Sequence, residues 1–116
     1  MGDRLFRVEH MNLWVKNCFI FTKNRSVGMK KLMNISEEKK KRAIYANNFK
    51  NKYDDLWVEF DDGETWKVMR PGERCLGIRW DKCYVDASSV TISELERVIK
   101  PRGLVNNPDY LEYFNW

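Results

Sequence analysis

Residues 74–102 read RCLGIRWDKCYVDASSVTISELERVIKPR, and this stretch carries the strongest local signals in the chain. Its apolar segment Lys82–Asp86 predicts a short buried strand. The later segment Thr91–Ile99 predicts a helix, which the following proline ends. That helix begins with the pattern of a capping box, in which the Thr91 hydroxyl and the Glu94 carboxylate satisfy each other's free backbone N–H groups. A strand followed by a helix needs partner strands and an apolar face to pack against.

Three further segments favour β structure. Cys18–Thr22 is a continuous apolar run, short enough for a central strand. Leu56–Phe60 and Thr65–Met69 flank the segment Asp61–Glu64, whose Asp-Gly step predicts a hairpin. With the strand at residues 82–86, they predict one α/β domain over residues 1–116. Its architecture is expected to be a small mixed sheet of about four strands, including the hairpin, covered by two or three helices.

Two more helices are predicted between the first strand and the hairpin. Lys23–Gly28 reads as a basic turn, in which the glycine permits a positive φ, and a short helix over Met29–Met33 follows. Ser36 is a favourable N-cap for the next helix, with two glutamates at its positive end. Its buried stripe is expected to consist of Tyr45, Ala46, Phe49 and Tyr53, which leaves the lysines and the arginine of the segment exposed.

The two ends of the chain give weaker patterns. Arg4–Val15 allows an amphipathic helix or an edge strand, and we favour the helix. Pro108–Phe114 suits one or two turns of helix opened by the proline. The many aromatic residues of this segment are expected either to fold back onto the core or to dock on a partner.

The charge is unevenly distributed along the 116 residues, although the net charge is only +4. Residues 16–52 hold 11 basic side chains against two glutamates, whereas residues 53–116 hold eight basic side chains against 13 acidic ones. Such asymmetry indicates a polyanionic or acidic partner, unless the two halves neutralise each other when they pack.

Composition argues against several other classes of protein. The three cysteines, Cys18, Cys75 and Cys83, are odd in number and widely spaced, which favours a reducing compartment and a cytoplasmic location. The single histidine, His10, has no companion at zinc-ligand spacing, and no metal or cofactor is expected. The longest strongly apolar run is far shorter than the roughly 20 residues of a membrane span. We therefore predict no membrane partner.

Two segments, in order, resemble the nucleotide-binding core of P-loop ATPases of the phage terminase and helicase type. FIFT followed by KNRSVGMK, residues 19–30, is similar to a strand that enters a phosphate loop. LGIRWDKCYVD, residues 76–86, is similar to the later strand that ends in a metal-binding acid. The resemblance covers about half of the chain and implies an anion site formed by Gly28, Lys30 and Asp86.

The same segments depart from the ATPase pattern where catalysis occurs. No Gly-Lys-Ser/Thr step is present, because Met29 follows Gly28 and a hydroxyl residue is missing after Lys30. Ala87 follows Asp86 where the carboxylate that polarises water would be needed. We therefore expect no catalytic residues and no enzyme activity.

Three binding hypotheses follow. The first is a small phage-type protein that binds nucleic acid or a nucleoprotein. Its expected contacts are the basic residues of the middle segment: Lys23, Arg25, Lys30, Lys31, Lys39, Lys40, Lys41 and Arg42. The second is an inhibitor of a host nucleic-acid-processing or defence complex, whose hairpin acids Asp61, Asp62 and Glu64 occupy a basic channel. The third is a nucleotide- or phosphate-binding module that uses the P-loop-like residues.

Overall fold

The structure is a computed structural model, and it describes residues 16–53, 55–72, 77–103 and 111–115. The helix predicted for Arg4–Val15 lies outside the described residues, as does the start of the predicted C-terminal helix, Pro108–Tyr110.

The described residues form one six-stranded mixed sheet with helices on both faces. The strands are β1 (Lys16–Phe21), β2 (Ala46–Lys52), β3 (Asp55–Phe60), β4 (Glu64–Met69), β5 (Lys82–Asp86) and β6 (Leu111–Phe114). Their order in the sheet is β2-β3-β4-β1-β5-β6. β1 is parallel to β4 and β5, and β5 is parallel to β6. β3 is antiparallel to both of its neighbours. The predicted α/β class is confirmed, with six strands where about four were expected.

The local predictions with the clearest signals are confirmed. β3 and β4 form the predicted hairpin, and Gly63 in its turn has φ = 89°, a conformation that glycine adopts without a steric penalty. Helix α2 begins at Ile92 with the reciprocal capping box of Thr91 and Glu94. It continues as a π-helical turn over Leu95–Ile99 and ends in a 3₁₀ turn over Lys100–Arg102, which contains the proline.

The prediction of two helices separated at Ser36 was wrong. One helix, α1, spans Arg25–Lys40 and includes Gly28 and Ser36. It begins early because the Asn24 side chain accepts hydrogen bonds from the backbone N–H groups of Ser26 and Val27. Its face toward the sheet repeats at intervals of three and four residues, and it consists of Gly28, Lys31, Leu32, Ile35 and Lys39. Because two of these residues are lysines, the sequence does not show an apolar repeat with helical spacing along α1.

The buried helical stripe predicted from Tyr45 to Tyr53 was also wrong. The chain leaves α1 through Ala43, whose φ is 58°, and then forms β2 as an edge strand. Tyr45, Phe49 and Tyr53 are exposed on or beside this strand. The helix predicted over Pro108–Phe114 is likewise replaced, within the described residues, by the edge strand β6.

The core lies in two layers because β1 is buried on both faces. Cys18 and Ile20 face α1 and pack in one layer with Trp66 of β4 and Leu32 of α1. The alternate residues of β1 face the opposite layer, which contains Phe19, Phe21, Val85, Leu95 and Ile99. Alternation along a strand turns successive side chains to opposite faces, so α1 and α2 cover opposite faces of the sheet. Because β1 is parallel to β4 and to β5, the carboxyl ends of these three strands lie at the same end of the sheet.

Candidate anion-binding cleft

The chain changes direction beyond the carboxyl ends of the parallel strands β1 and β5. From β1 the chain crosses one face through α1 toward β2, and from β5 it crosses the other face through α2 toward β6. In open α/β sheets, ligands bind beyond the carboxyl ends of the strands at such a switch point. A ligand-binding site is therefore expected among the residues that follow β1, β4 and β5.

An open cleft of about 700 Å³ lies at the carboxyl ends of β1 and β4. Among the described residues of its lining, four are basic and one, Asp55, is acidic. Tyr53, at the turn between β2 and β3, also lines it. The cationic residues are Lys23, Arg25, Lys67 and Arg70. Cations that converge on a concave surface focus the positive potential there, which suits a phosphate or another anion.

Neighbouring groups orient the two arginines of the cleft. Arg25, the first residue of α1, donates to the side-chain oxygen of Asn51 and, at 3.0 Å, to the backbone oxygen of Lys52. Arg70 donates to the backbone oxygen of Lys23 at 3.0 Å. A guanidinium has five N–H donors in a fixed plane, so these contacts to Arg25 leave donors for an oxyanion.

The two lysines of the cleft have carboxylate partners near the surface. The ammonium group of Lys23 lies 2.8 Å from a carboxylate oxygen of Glu94, at the start of α2. The ammonium group of Lys67 lies 3.5 Å from Asp55. Ion pairs at such partly exposed positions contribute little to stability and exchange readily with other anions. Both lysines can therefore contribute to the binding of a polyanion.

The crevice between the ends of β1 and β5 is filled by a hydrogen-bonded carboxylate. Asp86 is fully buried and accepts from the hydroxyl groups of Thr22 at 2.7 Å, Ser89 at 2.9 Å and Ser88 at 2.6 Å. The backbone N–H of Ser88 donates to it at 3.0 Å. Burial raises the pKa of Asp86, but the hydrogen bonds from Ser88, Thr22 and Ser89 outweigh that effect and lower it. Asp86 thus ties the end of β1 to the end of β5.

The three residues of the P-loop-like hypothesis occupy different environments. A Cβ atom added to Gly28 would lie 2.5 Å from a methyl carbon of Val68, so this glycine allows α1 to pack closely on β4. Lys30 is exposed on α1, whereas the carboxylate of Asp86 already accepts four hydrogen bonds. These contacts give Gly28 and Asp86 structural roles in the described fold.

The eight basic residues singled out in the sequence separate into three groups. Lys23 and Arg25 line the cleft. Lys31 and Lys39 are buried beneath α1, so the expectation that Lys39 is exposed was wrong. The remaining four lie on the exposed side or at the end of α1: Lys30, Lys40, Lys41 and Arg42. Lys40 and Lys41 form ion pairs with Glu37 and Glu38 of the same helix.

Lys31 is accommodated in the core by aromatic rings. Its ammonium nitrogen lies 4.0 Å from the centroid of the Tyr84 ring and 5.2 Å from that of Phe114. A cation over the face of an aromatic ring is attracted by the ring quadrupole. Burial lowers the pKa of Lys31, an effect that Glu112 partly opposes.

The three hairpin acids also separate. Glu64 is buried and bonds to Lys39, Lys82 and the indole N–H of Trp66. Asp62 pairs with Lys39 as well. Asp61 is exposed and accepts from the side-chain amide of Asn47 at 3.1 Å. Of the trio proposed to contact a partner, Glu64 is thus buried, whereas Asp61 and Asp62 are exposed and have partners within the fold.

Sequence reasoning missed three residues of the cleft: Tyr53, Lys67 and Arg70. Lys67 alternates with apolar residues along β4, and Arg70 directly follows that strand. A basic residue at either position does not by itself indicate a binding site. These two residues join Lys23 and Arg25 because β4 returns to lie beside β1 in parallel. Pairing between strands that are distant in sequence decides this, and no local signal encodes it.

Comparison with protein-family models, curated proteins and solved structures gives no match. The resemblance to P-loop ATPases therefore stays a prediction. Within the described parts of the chain, no helix is both long and apolar enough to cross a membrane. Among the same residues, no three side chains of His, Cys, Asp or Glu are grouped closely enough to hold a metal ion.

Proposed function

We propose that this protein is a non-catalytic nucleic-acid-binding protein whose phosphate contacts lie in the cleft at the carboxyl ends of β1 and β4. The observation that carries this proposal is the convergence of Lys23, Arg25, Lys67 and Arg70, from two separate parts of the chain, on one concave surface. The nucleic acid can be free or part of a nucleoprotein.

The cleft is a better candidate than the exposed face of α1. Lys40 and Lys41 pair with glutamates one turn earlier, but Lys23 and Lys67 of the cleft also have carboxylate partners, so ion pairing does not separate the two surfaces. The cleft differs because it is concave, so that its cations converge on one ligand. Where the structure describes it, the lining of the cleft carries four cations against one carboxylate. A phosphate chain that enters it would displace counterions from several positive groups at once, which is the main source of sequence-independent affinity.

The positions of the cleft arginines also favour binding. Arg25 is held by Asn51 and by the backbone of Lys52, and Arg70 by the backbone of Lys23. Side chains that are already oriented lose less conformational entropy when a ligand binds. Arg25 also begins α1, so the positive end of the helix dipole opens at the same place.

The proposal is tested by fluorescence anisotropy with short labelled DNA and RNA oligonucleotides across a salt series. We expect Arg25→Gln and Arg70→Gln each to weaken binding. Each should also reduce the slope of log affinity against log salt by about 0.7 on single strands. Arg97→Gln is the matched control, because Arg97 is an exposed arginine of α2 outside the cleft lining.

A second comparison separates the cleft from the helix face. The double variant Lys40→Gln/Lys41→Gln removes two cations from α1, and we expect it to bind almost as the parent protein does. A larger loss in this variant than in Arg25→Gln/Arg70→Gln would move the site to the helix. Affinity no tighter than millimolar at low salt would exclude nucleic acid altogether.

A further inference from the structure

We propose that the bound nucleic acid is single-stranded and that its bases stack on Tyr53 and Phe49 beside the cationic cleft. This inference rests on the proposed function and specifies the form of its ligand.

Three exposed aromatic side chains lie in or beside β2, and the last of them lines the cleft. Tyr53 lines the cleft and is 91% exposed, and Phe49 in β2 is 52% exposed. Tyr45, just before β2, is exposed as well. Large apolar side chains scattered singly over a surface need no explanation, but three within residues 45–53, in and beside one edge strand, form a group. Tyr53, at one end of this group, lines the cleft together with the four cations.

A specific contact links the aromatic residues to the cationic ones. Arg25 donates to Asn51, which lies between Phe49 and Tyr53 in the chain. Phe49 and Asn51 are two residues apart in β2, so they project from the same face, about 7 Å apart along the strand. The guanidinium of Arg25 and the ring of Phe49 are therefore neighbours on one face of the sheet edge.

This combination suits unpaired bases better than a duplex. A positively charged groove that follows the backbone, with aromatic rings on which bases stack, is the usual arrangement for binding single strands without sequence preference. In a duplex the bases are already stacked on each other, so the rings of Tyr53 and Phe49 would gain nothing from it. A duplex would make phosphate contacts alone.

The test compares single-stranded oligodeoxythymidine, single-stranded oligouridine and a duplex of matched length. We expect both single strands to bind more tightly than the duplex. Tyr53→Ala should weaken single-strand binding about tenfold, within the range measured when one stacked base is lost. Tyr53→Phe should retain most of the affinity because it keeps the ring. Neither variant should change the salt slope, since neither removes a charge.

Tyr113→Ala is the matched control, because Tyr113 is a 56% exposed tyrosine on β6, at the opposite edge of the sheet. Equal losses in Tyr53→Ala and Tyr113→Ala, or a duplex bound as tightly as the single strands, would overturn the inference. If Arg25→Gln still weakens binding in that case, the phosphate cleft stands without the stacking. Failure of every oligonucleotide to bind would overturn both proposals.

Discussion

The ammonium nitrogen of Lys39 lies 2.8 Å from a carboxylate oxygen of Glu64, with the two side chains only 4% and 10% exposed. The basic helix and the acidic hairpin therefore neutralise each other inside the protein at this point. Lys82 bonds to the second oxygen of Glu64 at 2.8 Å, and the indole N–H of Trp66 donates to the first at 2.9 Å. Lys39 and Glu64 thus neutralise each other in the core, so part of the charge asymmetry of the sequence does not reach the surface.

Lys39→Met should destabilise the protein by about 3 kcal/mol, because removal of one member of a buried ion pair leaves the other charge poorly compensated. Lys82 and Trp66 still bond to Glu64 in this variant, so the loss of unfolding free energy should lie near the low end of the roughly 3–5 kcal/mol that such substitutions cost. The measurement is the free energy of unfolding in urea. Lys40→Met, which breaks an exposed pair with Glu37 on the same helix, should cost less than about 1 kcal/mol. Equal costs would contradict the assignment of Lys39 to the core.

Glu64 should make the protein sensitive to acid. Burial raises the pKa of Glu64, but hydrogen bonds from Lys39, Lys82 and Trp66 outweigh it and lower the pKa from 4.5 to about 2. A depressed pKa stabilises the folded state above pH 4.5, and this contribution is lost as the pH falls from 4.5 to about 2.

Unfolding free energies of the parent protein and of Glu64→Gln should therefore differ at neutral pH and converge toward pH 2, because protonated glutamic acid resembles glutamine. A difference between the two proteins that stays constant over that range would show that Glu64 does not titrate as described.

Asp86→Ala should cost about 2 kcal/mol, since it leaves the buried hydroxyl group of Thr22, and the more exposed hydroxyl groups of Ser88 and Ser89, without their common acceptor. Asp86→Asn should lose less, because one amide oxygen still accepts. Chemical denaturation of the two variants tests this order. Similar stability of Asp86→Ala and the parent protein would mean that the network does not join β1 to β5.

Gly28→Ala should destabilise the fold by about 1 kcal/mol, even though alanine favours helices over glycine, because the new methyl group would overlap the side chain of Val68. The matched test is the same substitution in a Val68→Ala background, where space is available. There the alanine should stabilise the protein. Destabilisation of equal size in both backgrounds would contradict the close packing of α1 on β4.

Cys18 and Cys83 should resist alkylation in the folded protein. Both are free and buried, and burial raises the pKa of each thiol well above its ordinary range, so little thiolate forms. Cys75 lies outside the described residues, so the experiment uses a Cys75→Ser variant. Mass spectrometry after iodoacetamide treatment should show modification only when urea unfolds the chain. Rapid labelling without urea would show that a thiol is accessible.

The segments predicted correctly are those in which short-range chemistry is decisive. The Asp-Gly step of the hairpin, the capping box at Thr91 and the apolar runs of β1 and β5 each depend on neighbours within a few residues. The errors fall where a distant contact overrides the local pattern. Lys31 and Lys39 interrupt the apolar stripe of α1, and their burial depends on the rings of Tyr84 and Phe114 and on the carboxylates of the hairpin.

β2 is a second error of this kind, because residues predicted to be helical form a strand. Tyr45, Phe49 and Tyr53, in and beside this strand, have a spacing that suits one face of a helix, but pairing with β3 satisfies the backbone groups of Ala46–Lys52 in an extended conformation. The aromatic side chains then remain exposed, because the strand lies at the edge of the sheet. Tertiary pairing outweighs intrinsic propensity in such segments.

The sequence by itself determined the α/β class, the hairpin, the cap of α2 and the presence of an excess of cations in the middle of the chain, because each depends on composition or on near neighbours. Only the tertiary structure decided which cations are neutralised in the core and which converge beside Tyr53. The physical reason is that both outcomes depend on the parallel pairing of β1 with β4, whose residues lie about fifty positions apart, and on the burial that this pairing produces.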